Sequence, residues 1–145
     1  LCQEYLQKED STLTLLVYDG VRPRSVQQFM WDHLDMPIHE KTKFVSNPKN
    51  GSLHNYGAAV DLTIATTDGV PLDMGAGYDD IRKIAYPRYE KAYLDSGLIT
   101  QEHIDNRDLL RATMKAGGFW GIQTEWWHFN RYNRDRAKEM YEIVE

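Results

Sequence analysis

From Ala59 to Ala65 the chain alternates, with Val60, Leu62 and Ile64 facing one way and Asp61 and Thr63 the other, the period of a half-buried β-strand. A carboxylate on the polar face of that strand constrains whatever is arranged around it. Leu13 to Tyr18 is a short apolar run closed by Asp19-Gly20, which reads as a buried strand ending in a turn. Pro23 then opens a helix, because its missing N–H is not needed in a first turn. Val26, Phe29, Met30, His33 and Leu34 recur at helical spacing and form a core-facing stripe. Residues 35–57 carry Pro37, Asn47, Pro48, Asn50, Gly51 and Gly57 and read as a long irregular connection, usually functional or disordered. Asp68-Gly69 is a hairpin-type turn and Met74-Gly75-Ala76-Gly77 a flexible loop. Thr100 is placed to cap a helix carrying Leu109, Leu110, Thr113 and Met114, closed by Gly117-Gly118. Ile122 to Phe129 is aromatic-rich and strand-like, and Ala137, Met140, Tyr141 and Val144 suggest a final short helix. Strands and helices do not alternate regularly enough for a parallel doubly wound sheet. The expected class is α+β, a small antiparallel sheet flanked by helices.

With 145 residues and neither repeat nor linker-like tract, residues 1–145 read as one domain, large enough for its own core. The single cysteine, Cys2, excludes an internal disulfide and a thiolate site, so any metal must be held by nitrogen and oxygen. The net charge of -5, with basic residues scattered among acidic ones, excludes a stripe that tracks phosphates, and no nucleic-acid partner is expected. No apolar run approaches the roughly 20 residues that cross a bilayer. Leu1 to Gln7 already reads as part of a helix, without an initiator methionine, so the chain is expected to be the middle of a longer protein. Neither compartment nor oligomeric state is legible.

Three constellations carry chemistry. In Ser52-Leu53-His54-Asn55-Tyr56-Gly57-Ala58-Ala59-Val60-Asp61, Gly57 permits a backbone turn that brings His54 back over Asp61; the plain alternative is a surface histidine beside an exposed carboxylate. In Glu125-Trp126-Trp127-His128 the acid and the imidazole would point to opposite faces of a regular strand, so joint chemistry needs a local irregularity; the alternative is a solvated edge. Taken together, His54, Asp61 and His128 leave one tetrahedral zinc position open, the pattern of catalytic sites, with Glu125 as a proton carrier. In Asp19-Gly20-Val21-Arg22-Pro23, Pro23 keeps Arg22 out of helical dihedrals, where its fork suits a developing oxyanion; a surface arginine is the alternative. His33 reads as a packed histidine on its stripe, His39 and His103 as solvated, Trp31 and Tyr86 to Tyr93 as packing aromatics, and the charges from Arg131 to Glu139 as a solvated face.

Asp-Gly-x-Arg-Pro, Ser-x-His-x-x-Gly-x-Ala-x-Asp, Met-Gly-x-x-Tyr-Asp and Glu-Trp-Trp-His occur here in the order and approximate spacing of the D-alanyl-D-alanine dipeptidases, the VanX-like zinc peptidases, which the chain resembles over about residues 13 to 130. The resemblance implies one zinc ion per chain on His54, Asp61 and His128, at the sheet of a hedgehog- and D,D-peptidase-like fold. It further implies Glu125 as general base and Arg22 as the group that stabilises the tetrahedral intermediate. Asp79 matches the position that holds the substrate's ammonium, and its alternative is a helix N-cap ahead of Ile81 to Tyr86. Ser52 and Phe29 match pocket-lining positions. The implied activity is hydrolysis of D-Ala-D-Ala or a closely similar dipeptide in a bacterium, in periplasm or cytoplasm. The alternatives are a D,D-carboxypeptidase or endopeptidase acting on peptidoglycan stem peptides, or a non-catalytic zinc-containing binding module. The resemblance also implies a further N-terminal segment that helps close the pocket, and residues 1–145 are expected to lack its counterpart.

Overall fold

In the computed structural model, which describes residues 1–42 and 45–145, the alternating segment forms strand β2 (Ala59–Thr66). It is the second of four strands, in the order β1-β2-β4-β3, with β1 at Leu13–Asp19, β3 at Trp120–Gly121 and β4 at His128–Asn130. Helices α1 (Cys2–Glu9), α2 (Arg24–His33), α3 (Ile38–Lys41), α4 (Glu90–Asp95), α5 (Gln101–Ala116) and α6 (Arg134–Met140) complete the expected α+β class with its small antiparallel sheet. The chain divides into two compact units, one of Leu1–Tyr18 with Asp61–Phe129, the other of Asp19–Val60 with Asn130–Glu145.

In the first unit β2 corrects the half-buried reading, because Asp61 and Thr63 are as buried as Leu62 and Ile64. Aromatic rings cover the polar face: Tyr18 engages Thr63, and Tyr78 stacks on Tyr18 while meeting Trp127 edge-on. Strand β1 is less buried than its apolar run suggests, with only Leu13 fully enclosed, since it lies at the sheet edge. Gln3 of α1 blunts that edge by accepting the Leu15 N–H at 2.9 Å. The Asp68-Gly69 turn forms as read, with the Gly69 N–H on Thr66 O at 2.8 Å and Ala65 paired antiparallel to Pro71.

Helix α5 begins at Thr100 in a reciprocal cap. Thr100 Oγ1 accepts the His103 N–H, and His103 Nδ1 accepts the Thr100 N–H. His103 is therefore largely enclosed, with Nε2 3.2 Å from Asp73 Oδ2, which corrects its reading as solvated. The buried face of α5 is Arg107, Leu110, Thr113 and Met114, with Leu109 at its margin. The aromatic segment before Phe129 is not a continuous strand: between β3 and β4 it bends, burying Trp126 and Trp127.

In the second unit the stripe on α2 is corrected. Phe29 is 61% exposed, Val26 46%, and His33 also faces outward, stacked on Phe29. The residue turned inward is Gln27, whose Nε2 donates to Ser46 O at 2.6 Å and whose Oε1 accepts from Asn55 at 3.2 Å. A buried amide must keep its hydrogen bonds, and Gln27 has one partner on its nitrogen and one on its oxygen where the apolar pattern predicted hydrocarbon. Residues 35–57 are less irregular than expected, holding α3 and single 3₁₀ turns at Pro48–Asn50 and Leu53–Tyr56. Helix α6 buries only Ala137. Tyr141 caps it and Val144 lies past its end, so the expected four-residue apolar face is shortened.

Candidate metal centre and active site

Asp61 occupies the buried middle of the sheet because β2 alternates, and β4 begins at His128 on the neighbouring strand. His128 Nδ1 lies 2.9 Å from Asp61 Oδ1 and 3.9 Å from Glu125 Oε2. The bend after Glu125 is the irregularity that the Glu-Trp-Trp-His spacing requires. It lets residues that a flat strand would send to opposite faces share one side.

His54 is built by its own turn. Gly57 takes φ +63° and its N–H returns to His54 O at 3.1 Å, while the Ala58 N–H reaches Leu53 O at 2.9 Å. The ring is buried, with Nδ1 2.8 Å from Gly20 O. A carbonyl can only accept, so Nδ1 carries a proton, which leaves Nε2 as the nitrogen that can offer a lone pair to a metal. One donor atom from each of His54, Asp61 and His128 lies within 4.8 Å of the others. Ligands on a tetrahedral zinc sit roughly 3–3.5 Å apart, so small side-chain rotations bring this set onto one ion. The donor chemistry, two imidazoles and one carboxylate, fits zinc.

Arg22 sits beside the same turn. Its N–H donates to His54 O at 3.1 Å and its carbonyl accepts from Asn55 Nδ2 at 2.7 Å. Asp19 orients the guanidinium, accepting from Nε at 2.7 Å. Ser52 is buried two residues before His54, with its N–H on Asn55 Oδ1 at 2.7 Å. Phe29 lies exposed on α2.

Asp79 is exposed with φ +58°, and Ile81 to Tyr86 forms no α-helix. The N-cap reading is thereby overturned: the next short turn, Lys83–Ala85, is preceded by Arg82, and Asp80 accepts the Arg82 N–H at 2.9 Å. The Arg82 side chain holds the Asp80 carboxyl below the usual carboxylate range. Asp73 is also held low, first by the Gly75 N–H and then by His103.

The expectations passed over Tyr18 and Tyr78, although Tyr78 stands inside the Met-Gly-x-x-Tyr-Asp motif. With Trp126 these rings wall a cavity of about 390 Å³ that also borders on Pro71 and Met74. Burial pushes the Tyr18 phenol above its ordinary value of 10.0, opposed by the Thr63 hydroxyl. A group whose pKa is raised on folding stabilises the fold below its unfolded pKa, and that contribution is lost as pH climbs through the folded one. Ultraviolet titration is therefore expected to lose late-ionising phenol absorbance in Tyr18→Phe; an unchanged late phase in the variant would refute this.

A carboxylate and an imidazole on neighbouring strands, with a second imidazole on a 3₁₀ turn, define a protein with a metal-capable nitrogen and oxygen centre. The profile of the D-ala-D-ala dipeptidase family matches residues 3–144, and the chain belongs to that family. It is 37% identical over 119 residues to a D-alanyl-D-alanine dipeptidase of Escherichia coli, covering 82% of this chain and 55% of that protein. It is 33% identical over 137 residues to one of Streptomyces coelicolor, covering 83% and 63%. The chain thus spans little more than half the length of these curated relatives. Among solved structures, a zinc complex of the vancomycin-resistance D,D-pentapeptidase VanY gives a TM-score of 0.42 at 16% identity, over 97% of this chain and 75% of that one. No helix among the described residues is long and apolar enough to cross a membrane.

Proposed function

We propose that the protein is a zinc-dependent peptidase that hydrolyses D-Ala-D-Ala or a closely similar short D-amino-acid dipeptide, its ion held by His54, Asp61 and His128. The carrying observation is the convergence of those three side chains, with Glu125 beside His128, in a chain of this family. The names of the bacterial relatives supply the substrate class. Zinc held by one anionic and two neutral ligands supplies Lewis acidity toward a carbonyl and acidifies water near neutral pH.

The remaining steps fall to the chain's own groups. Glu125 accepts a proton from the attacking water and returns it to the departing amine. Arg22, its fork set by Asp19, shares the charge that develops on the carbonyl oxygen. Asp79 receives the dipeptide's ammonium, and Ser52 and Phe29 line the pocket.

Zinc analysis together with a D-Ala-D-Ala hydrolysis assay tests the reading. Asp61→Ala is expected to lose zinc and turnover together, since it removes the anionic ligand. Wild-type zinc affinity in that variant, or a protein that binds no zinc, would refute the proposed centre. Faster cleavage of a muramyl pentapeptide than of the free dipeptide would reassign the substrate to stem peptides.

A further inference from the structure

Tyr78 has no task in the proposed mechanism, yet its side chain is held from three directions. Its ring stacks on Tyr18 at 4.4 Å between centroids and meets Trp127 edge-on at 5.6 Å. Its hydroxyl is directed at Asp61 Oδ2 at 3.5 Å, while the other oxygen of that carboxylate, Oδ1, faces His128 Nδ1 at 2.9 Å. The two oxygens of Asp61 thus have different neighbours.

The backbone that carries Tyr78 is clamped from α5. Arg107 donates from Nε to Met74 O at 2.8 Å and from Nη2 to Ile84 O at 3.1 Å, so one buried side chain staples both ends of segment 74–84. Asn106 Nδ2 adds a bond to Asp73 O at 2.8 Å. Gly75, at φ +72°, lies so close to His103 that a Cβ would come within 2.6 Å of its ring. A loop pinned in this way presents Tyr78 at a set height over β2.

We propose that Tyr78 is a positioning residue for the metal ligand Asp61, its hydroxyl engaging Oδ2 so that Oδ1 is the oxygen offered to the ion. The inference rests on the reading of Asp61 as a zinc ligand. A free carboxylate can swing and change which oxygen it presents, and a hydroxyl on one oxygen removes that freedom. Outer hydrogen bonds of this kind are typically worth about 10- to 100-fold in metal affinity. At 3.5 Å the bond is long for O–H···O, which places the expected effect near the lower end.

Zinc affinity measured by chelator competition, on the wild type, Tyr78→Phe and Tyr78→Leu, decides the matter, with thermal stability of the metal-free proteins read alongside. Tyr78→Phe keeps the ring stack and loses only the hydroxyl. It is expected to weaken zinc binding about 10-fold while the metal-free melting temperature stays at the wild-type value. Equal affinity in wild type and Tyr78→Phe, with loss only in Tyr78→Leu, would assign the effect to the ring and overturn the proposal. So would a fall in affinity matched by a fall in metal-free stability. A wild-type protein that binds no zinc defeats the parent reading and this one together, whereas zinc binding that ignores the hydroxyl defeats this one alone.

Discussion

Replacing Glu125 with glutamine is expected to lower kcat about 100- to 10,000-fold while the protein keeps its zinc. Glutamine preserves the shape and the hydrogen-bonding reach of the side chain but cannot accept a proton at neutral pH. The geometry makes the result informative, because Glu125 Oε2 stands 3.9 Å from the same His128 nitrogen that faces Asp61 at 2.9 Å. A carboxylate so placed has two readings, a fourth ligand or the proposed base, and they separate cleanly. A ligand's loss empties the site, and kcat then falls in proportion to metal content. A base's loss leaves the metal and removes the proton carrier, so kcat falls far more than zinc occupancy or KM changes. Full kcat in Glu125→Gln would dismiss Glu125 as base, and parallel loss of zinc would make it a ligand.

Much of this centre was legible along the chain because its parts are local. The Gly57 turn follows from a glycine three residues after His54, and the strand that carries Asp61 follows from alternation over a few residues. The demand for a break between Glu125 and His128 follows from strand geometry, and the bend is there. What was misread depended on partners far away in the chain. Alternation reports which side chains of β2 are apolar, not what covers them, so the rings of Tyr18 and Tyr78 over its polar face could not be anticipated. The stripe on α2 misled for a related reason: the inward position is held by Gln27, whose amide bonds Ser46 O and the Asn55 side chain, while Phe29 is exposed. Aromatic content made Ile122 to Phe129 look like a strand, although Trp126 and Trp127 are buried in a bend. Asp79 looked like a cap because Ile81 to Tyr86 looked like a helix. Its left-handed φ belongs instead to the loop that Arg107 clamps.

Arg107→Met is expected to destabilise the fold by about 2–4 kcal/mol, against about 1 kcal/mol for an ordinary substitution. The guanidinium is buried at 1% exposure, and burial pulls its pKa down, opposed by its bond to Glu90. Burying the charge is therefore costly in itself, and methionine, which fills a similar volume, relieves that cost. Glu90 is not orphaned by the change, because Arg111 still reaches its two oxygens at 2.9 and 3.0 Å. What remains unmatched is the carbonyls of Met74 and Ile84, each left without the donor it has now, at about 1–3 kcal/mol apiece. Two orphaned acceptors outweigh the relieved charge, which decides the sign. For a chain of this size the melting temperature should fall by roughly 6–15 °C. Arg107→Lys should lose nearly as much, since one ammonium on a flexible stem cannot span both carbonyls. Wild-type stability in both variants would show that segment 74–84 holds its shape without the clamp. A destabilised Arg107→Met that binds zinc as tightly as the wild type would separate the clamp from the metal centre, and would leave the aromatic stack on Tyr18 and Trp127 as what holds Tyr78 over Asp61.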